Sequence, residues 1–135
     1  MPYIIHREQL REGSGTPDGL KRYPLVRGDV ENKIEAGIEL NVLAPHQMTP
    51  MHCHSGCEHY VFIVRGLGNM IIEGETHPVA TSFLIAIDPG EKHSLQNPGD
   101  RDIEYLEFFV PQSGAKEIET VYFNEVNPCG SIQTR

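Results

Sequence analysis

A chain of 135 residues, 39% hydrophobic and 22% charged, is sized for one domain around a single core. Its 19 acidic against 11 basic residues give a formal net charge of -8, without the Lys/Arg excess that phosphate-backbone binding needs, so neither nucleic acid nor anionic membrane is expected as a partner. No run of about 18 apolar residues is present, so no membrane-spanning helix is expected.

The opening Met1-Pro2-Tyr3-Ile4-Ile5-His6-Arg7-Glu8 lacks the basic flank, long apolar stretch and small-residue cleavage site of a signal peptide. Cysteines stand at Cys53, Cys57 and Cys129, an odd number that argues against a disulfide framework. A cytoplasmic location is the expectation.

In chain order, Tyr3-Ile4-Ile5 is a short β-prone segment and Arg7 to Glu12 is expected to form one helical turn. Gly13-Ser14-Gly15-Thr16-Pro17-Asp18-Gly19 reads as a flexible connection. From Lys33 to Val42 apolar and polar residues alternate at period two, the pattern of a half-buried strand. Short strands are then expected over Tyr60 to Val64, Asn69 to Ile72, Phe83 to Ile87, His93 to Gln96 and Ile103 to Val110. Between them lie the turn formers Gly66-Leu67-Gly68, Glu73-Gly74-Glu75, Asp88-Pro89-Gly90 and Asn97-Pro98-Gly99-Asp100. No stretch supports a long amphipathic helix, so the fold is all-β, a sandwich or barrel.

Chemistry concentrates at His52-Cys53-His54, with His59 and His93 downstream. In an extended strand side chains alternate faces, so His52 and His54 point one way and Cys53 the other. Convergent neutral imidazoles bind divalent transition metals at about 2.0–2.2 Å.

The segment His52-x-His54-x4-His59-x6-Gly66 followed by Gly90-x2-His93-x3-Asn97 resembles the paired motifs of the cupin superfamily, over roughly residues 36–110. The resemblance implies a double-stranded β-helix, or jelly-roll barrel, with a short N-terminal arm. It also implies one divalent metal ion per subunit, held by His52, His54, His59 and His93 as in the four-histidine branch, with Mn, Fe, Ni and Zn all suitable. Most members carry glutamate where His59 stands, and Glu58 is adjacent. Spacing to Gly66 favours His59, whereas the apolar alternation of the strand decides nothing. The family's glycines are replaced by His46 and Ser82 at turns, and Asp88 replaces a proline.

On this reading residues 1–32 form the arm and connection, 33–111 the barrel with its metal site, and 112–135 a C-terminal extension packed on the barrel. Tyr105 and Glu107 are candidate acid-base groups, provided the face Ile103, Tyr105, Glu107, Phe109 points inward rather than Glu104, Leu106, Phe108, Val110. Arg65 and Cys57 are secondary candidates near the site, His46 is either a solvent-exposed turn residue or a histidine that contacts substrate or ligands at the mouth, and Asn97 is a turn former.

The expected partner is a small-molecule substrate, and the expected assembly a homodimer. The leading function is a dioxygenase-type oxidoreductase acting on an oxygen-rich metabolite that chelates the metal. The alternatives are a non-redox isomerase, lyase or cyclase and a non-catalytic sugar or small-metabolite binding protein. Acidification below the free imidazole pKa of about 6.5 is expected to release the ion over roughly pH 6 to 4.

Overall fold

A computed structural model describes residues 4, 6–12, 20–25, 38–114, 118–123 and 131–134. Arg7–Gln9 make one 3-10 turn, capped by the His6 side chain, within the segment expected to be helical. The Gly13–Gly19 connection and residues 33–37 of the first expected strand lie outside the described residues, as do Tyr3 and Ile5.

The remaining elements are strands: β1 (Lys21–Pro24), β2 (Ile38–Leu43), β3 (Met51–Ser55), β4 (Cys57–Arg65), β5 (Leu67–Ile72) and β6 (Glu75–Ala80), then β7 (Leu84–Ile87), β8 (His93–Gln96), β9 (Ile103–Pro111), β10 (Glu119–Phe123) and β11 (Ser131–Thr134). They pair antiparallel into a five-stranded sheet, β1-β2-β9-β4-β7, and a six-stranded sheet, β11-β10-β3-β8-β5-β6. This is the all-β jelly roll. β1 extends the five-stranded sheet from the segment expected to be an arm. β10 and β11 extend the other sheet from the expected C-terminal extension. β6 is a strand that the sequence did not announce, because Glu75, Thr76, His77 and Pro78 are all exposed and Pro78 donates no hydrogen bond. It survives as an edge strand, where such residues are tolerated.

Alternation fixes what each strand buries. On β4, Cys57, His59, Val61 and Ile63 face inward and Glu58, Tyr60, Phe62 and Val64 face out. On β9 the row Ile103, Tyr105, Glu107 and Phe109 faces inward, which settles the register that the sequence left open. Leu43, Val61, Ile63, Ile87, Ile103 and Tyr105 of one sheet meet Met70, Val79 and Leu95 of the other in a single cluster. Each fully buried aliphatic side chain there contributes about 1.5–3 kcal/mol.

Backbone fit closes the barrel away from the histidines. A Cβ on Gly68 would lie 2.6 Å from Ile103 Cδ1 and 2.8 Å from the Gln96 carbonyl, so only glycine lets β5 approach there. Asn97, 1% exposed, donates to the carbonyls of Leu43 and Arg101 and accepts from Gly99 N, fixing the turn as expected. His46 and Ser82 adopt φ of 62° and 72°, keeping the left-handed turns without glycine. His46 is exposed, so it is a turn residue.

Candidate metal centre

The two sheets bring four histidines together. β3 supplies His52 and His54, β8 supplies His93 opposite His52 in register, and β4 supplies His59 from the facing sheet. His54, His59 and His93 are buried and His52 is half-buried. Ring centroids lie 4.9 Å apart for His52 and His54, 4.3 Å for His52 and His93, 4.9 Å for His54 and His59 and 5.0 Å for His59 and His93.

Glu58, the alternative to His59, points outward and accepts a hydrogen bond from Tyr60 Oη at 2.5 Å. Arg65 is likewise on the outer face, where it meets Glu104 at 3.1 Å. Cys57 is buried in a small cluster with Phe109 and Ile118, and Cys53 points away from the histidines.

Three of the rings are oriented by a bond to Nδ1. His52 Nδ1 meets the Pro50 carbonyl at 2.7 Å, His93 Nδ1 meets the Glu91 carbonyl at 2.9 Å, and His54 Nδ1 meets Thr120 Oγ1 at 2.9 Å. A carbonyl only accepts, so His52 and His93 carry their proton on Nδ1 and leave Nε2 with a lone pair, while the Thr120 hydroxyl holds the His54 ring in place. Nε2 of His54 and of His93 is buried without a hydrogen-bond partner, as are both ring nitrogens of His59. Buried polar atoms ordinarily find partners, so orphaned lone pairs gathered in one place fit a bound cation.

Burial also favours the neutral form, the one that ligates, at His52, His54 and His93. It pushes His54 far below the usual imidazole range, with His59 and His52 adding to the effect. It pushes His93 down to about 3, reinforced by His52 and His59, and it lowers His52 as well.

The donor atoms fall into two overlapping triads, His52/His54/His93 and His54/His59/Glu107, each within 4.8 Å, with His54 common to both. Glu107, on β9, is therefore at the cluster. Its Oε1 lies 3.2 Å from His59 Nε2, out of line for a hydrogen bond, and its Oε2 accepts from Asn41 Nδ2 at 2.7 Å. Arg22 on β1 stands 3.8 Å from the same carboxylate and 3.2 Å from Glu39. Tyr105 shares the inward face of β9 but is one inward position farther along than Glu107, within the hydrophobic core.

Several site residues carry no motif signal. Thr120 and Tyr122 come from β10, opposite His54 and His52, with the Tyr122 ring 5.7 Å from that of His52. Phe109 stacks on His59 at 4.5 Å and meets His54 edge-on at 4.9 Å. Asn41 and Arg22 reach Glu107 from β2 and β1. All lie outside the histidine motif on other strands, and only the inward phase of β9 marked Phe109.

Known proteins share this architecture. The chain is 23% identical over 149 aligned residues to Auxin-binding protein 1 of Arabidopsis thaliana, covering 93% of this chain and 74% of that protein. It is 29% identical over 120 residues to an oxalate-binding protein of Thermotoga maritima, covering 75% and 98% respectively. Among solved structures, a sugar phosphate isomerase of the cupin superfamily from Silicibacter pomeroyi superposes with a TM-score of 0.73 at 15% identity, over 98% of this chain and 93% of that one. The Cupin domain pattern itself matches from residue 40 to residue 109, more than half of the chain and all four clustered histidines, and on that match the chain belongs to the cupin family.

Proposed function

We propose that this chain is a metal-dependent enzyme of dioxygenase type, holding one divalent ion per subunit through His52, His54, His59 and His93 and acting on a small oxygen-rich metabolite. The observation that carries the reading is the set of buried, unpartnered nitrogens on His54, His59 and His93. A bound ion of this class polarises or deprotonates an oxygen ligand and, when redox-active, supports oxygen chemistry.

The chain's own residues prepare for that. His52 and His93, with tautomers fixed by carbonyls, offer lone pairs without first shedding protons, and Phe109 packs on His54 and His59 to keep water from their flanks. Four neutral imidazoles do not offset the ion's charge, which favours an anionic or bidentate oxygen ligand beside them. Metal analysis of protein purified without added metal, followed by oxygen consumption assays on small keto- and hydroxy-acids, tests the reading. Zinc as the sole resident metal removes it.

A second reading, a non-redox isomerase, lyase or cyclase, is favoured by Glu107 beside His59, since a carboxylate there is positioned to move a proton. Glu107 suits that role better than Tyr105, which packs in the core. The likeness to a sugar phosphate isomerase supports it, and the likeness to an oxalate-binding protein supports plain binding of a small carboxylate. Substrate turnover without oxygen consumption separates the isomerase reading from the dioxygenase.

We further propose a cytoplasmic homodimer. Its support is the outer face of the five-stranded sheet, where register aligns the partly or fully exposed Leu106, Phe62 and Leu84 in one row and Ile38, Phe108, Tyr60 and Ala86 in the next. Contiguous apolar surface of this kind favours a two-fold partner.

A further inference from the structure

Resting on the metal reading above, we infer that Glu107 is itself a ligand, supplying from β9 the carboxylate that the histidine motif lacks. Two donors bound at about 2.1 Å to one ion, at roughly right angles, lie about 3.0–3.2 Å apart. His59 Nε2 and Glu107 Oε1 are 3.2 Å apart, and both belong with His54 to one donor triad. The same pair is not aligned as a hydrogen bond, so His59 Nε2 keeps its lone pair directed elsewhere. Two atoms that stand close without bonding each other are arranged as neighbours around a third.

The carboxylate is also aimed. Asn41, fully buried, donates to Oε2 at 2.7 Å, and Arg22 stands 3.8 Å from that same oxygen, which leaves Oε1 turned toward His59. Asn41 is thus a positioning residue that acts through Glu107. Charge gives the arrangement a reason, because four neutral imidazoles leave a divalent ion uncompensated in a buried site, where unbalanced charge is costly. Glu58 cannot reach inward to balance it, since it lies on the opposite face of β4. Glu107 is 5% exposed and lies on the inward face, so it can.

Cobalt(II) is a suitable probe, because it binds imidazole and carboxylate and its visible spectrum reports the donor set. In a crystal structure of the full chain loaded with cobalt, Glu107 Oε1 should lie within about 2.3 Å of the ion. In solution, Glu107→Gln should lower cobalt affinity at least about tenfold and alter the spectrum, whereas Glu58→Gln should change neither. Asn41→Leu, which keeps the carboxylate but frees it, should weaken binding less than Glu107→Gln.

Cobalt held by histidines alone, with Oε1 farther than about 3 Å away, overturns the inference and leaves the metal reading standing. An unchanged affinity and spectrum in a folded Glu107→Gln protein has the same consequence. Should that variant not fold, the wild-type crystal structure decides alone. A wild-type chain that takes up no cobalt overturns both readings.

Discussion

His54 Nδ1 and Thr120 Oγ1 lie 2.9 Å apart across the β3–β10 pair, and this one contact decides which nitrogen of His54 faces the other histidines. Thr120 is 3% exposed, so water does not replace a lost hydroxyl. Thr120→Val should lower metal affinity by about ten- to a hundredfold, the usual effect of removing an outer partner of a ligating histidine. It should also destabilise the metal-free fold by about 1–3 kcal/mol, because His54 Nδ1 is left buried and unpaired. A competition titration and a denaturant melt read the two effects separately. Valine at full wild-type affinity shows that the ring is held by packing alone.

Removing a ring is a harsher change. His54→Ala deletes the donor common to both triads and should abolish stoichiometric metal, while Glu58→Ala, on the outer face, should retain it. Metal retained by His54→Ala would falsify the ligand set.

Acid should act on folding before it acts on ligation. In the unfolded chain histidine takes up a proton near a pKa of about 6.5, whereas burial keeps His93 neutral down to about 3 and His54 and His52 also below their usual range. Between those limits the unfolded chain binds more protons than the folded one, so stability rises with pH and is lost as pH falls. The slope is about 1.4 kcal/mol per pH unit for each such histidine. The denaturant midpoint of metal-free protein should therefore drop steadily from pH 6.5 toward 4. Metal release should follow unfolding, at lower pH than free imidazole indicates. A flat stability profile over that range would mean that the rings are protonated in the fold.

The N-terminal segment should matter for stability and not for metal. Arg7 forms a two-pronged pair with Glu104, a buried carboxylate also met by Arg65 and held below its ordinary range chiefly by the Arg7 hydrogen bond. Deleting residues 1–12 removes Arg7 and should lower the melting temperature by a few degrees, since Arg65 remains as a partner. Metal stoichiometry should be unchanged. Its loss on truncation would make the segment part of the site.

Assembly can be probed on the outer sheet face. Phe62→Arg puts a charge in the middle of the row Leu106, Phe62, Leu84 without touching the inward face of β4. Sedimentation should show a dimer for the parent chain and a monomer for the variant, with metal still bound. A parent chain that sediments as a monomer at micromolar concentration removes the dimer reading.

The barrel and its histidines were legible because both are local signals. Period-two alternation and turn formers marked most strands, and the His93 to Gln96 strand has the expected bounds. The inward turn of His59 over Glu58 was legible only through its spacing to Gly66, since both faces of β4 are apolar and alternation alone favours neither. Alternation decides no more on β9, whose outer face carries Leu106 and Phe108. Thr120, Asn41 and Arg22 were invisible for a different reason: each is defined by a cross-strand neighbour, and register between distant strands leaves no mark on either strand's own sequence.

His52, His54 and His93 belong to the six-stranded sheet, and His59 and Glu107 to the five-stranded one. Anything that binds all of them is a cross-link between two layers otherwise held there by side-chain packing. Loading should then slow amide hydrogen exchange in β3 and β9 together, though neither strand pairs with the other. The open end of the barrel would stiffen like a hinge with its pin inserted, and the empty chain would breathe there first.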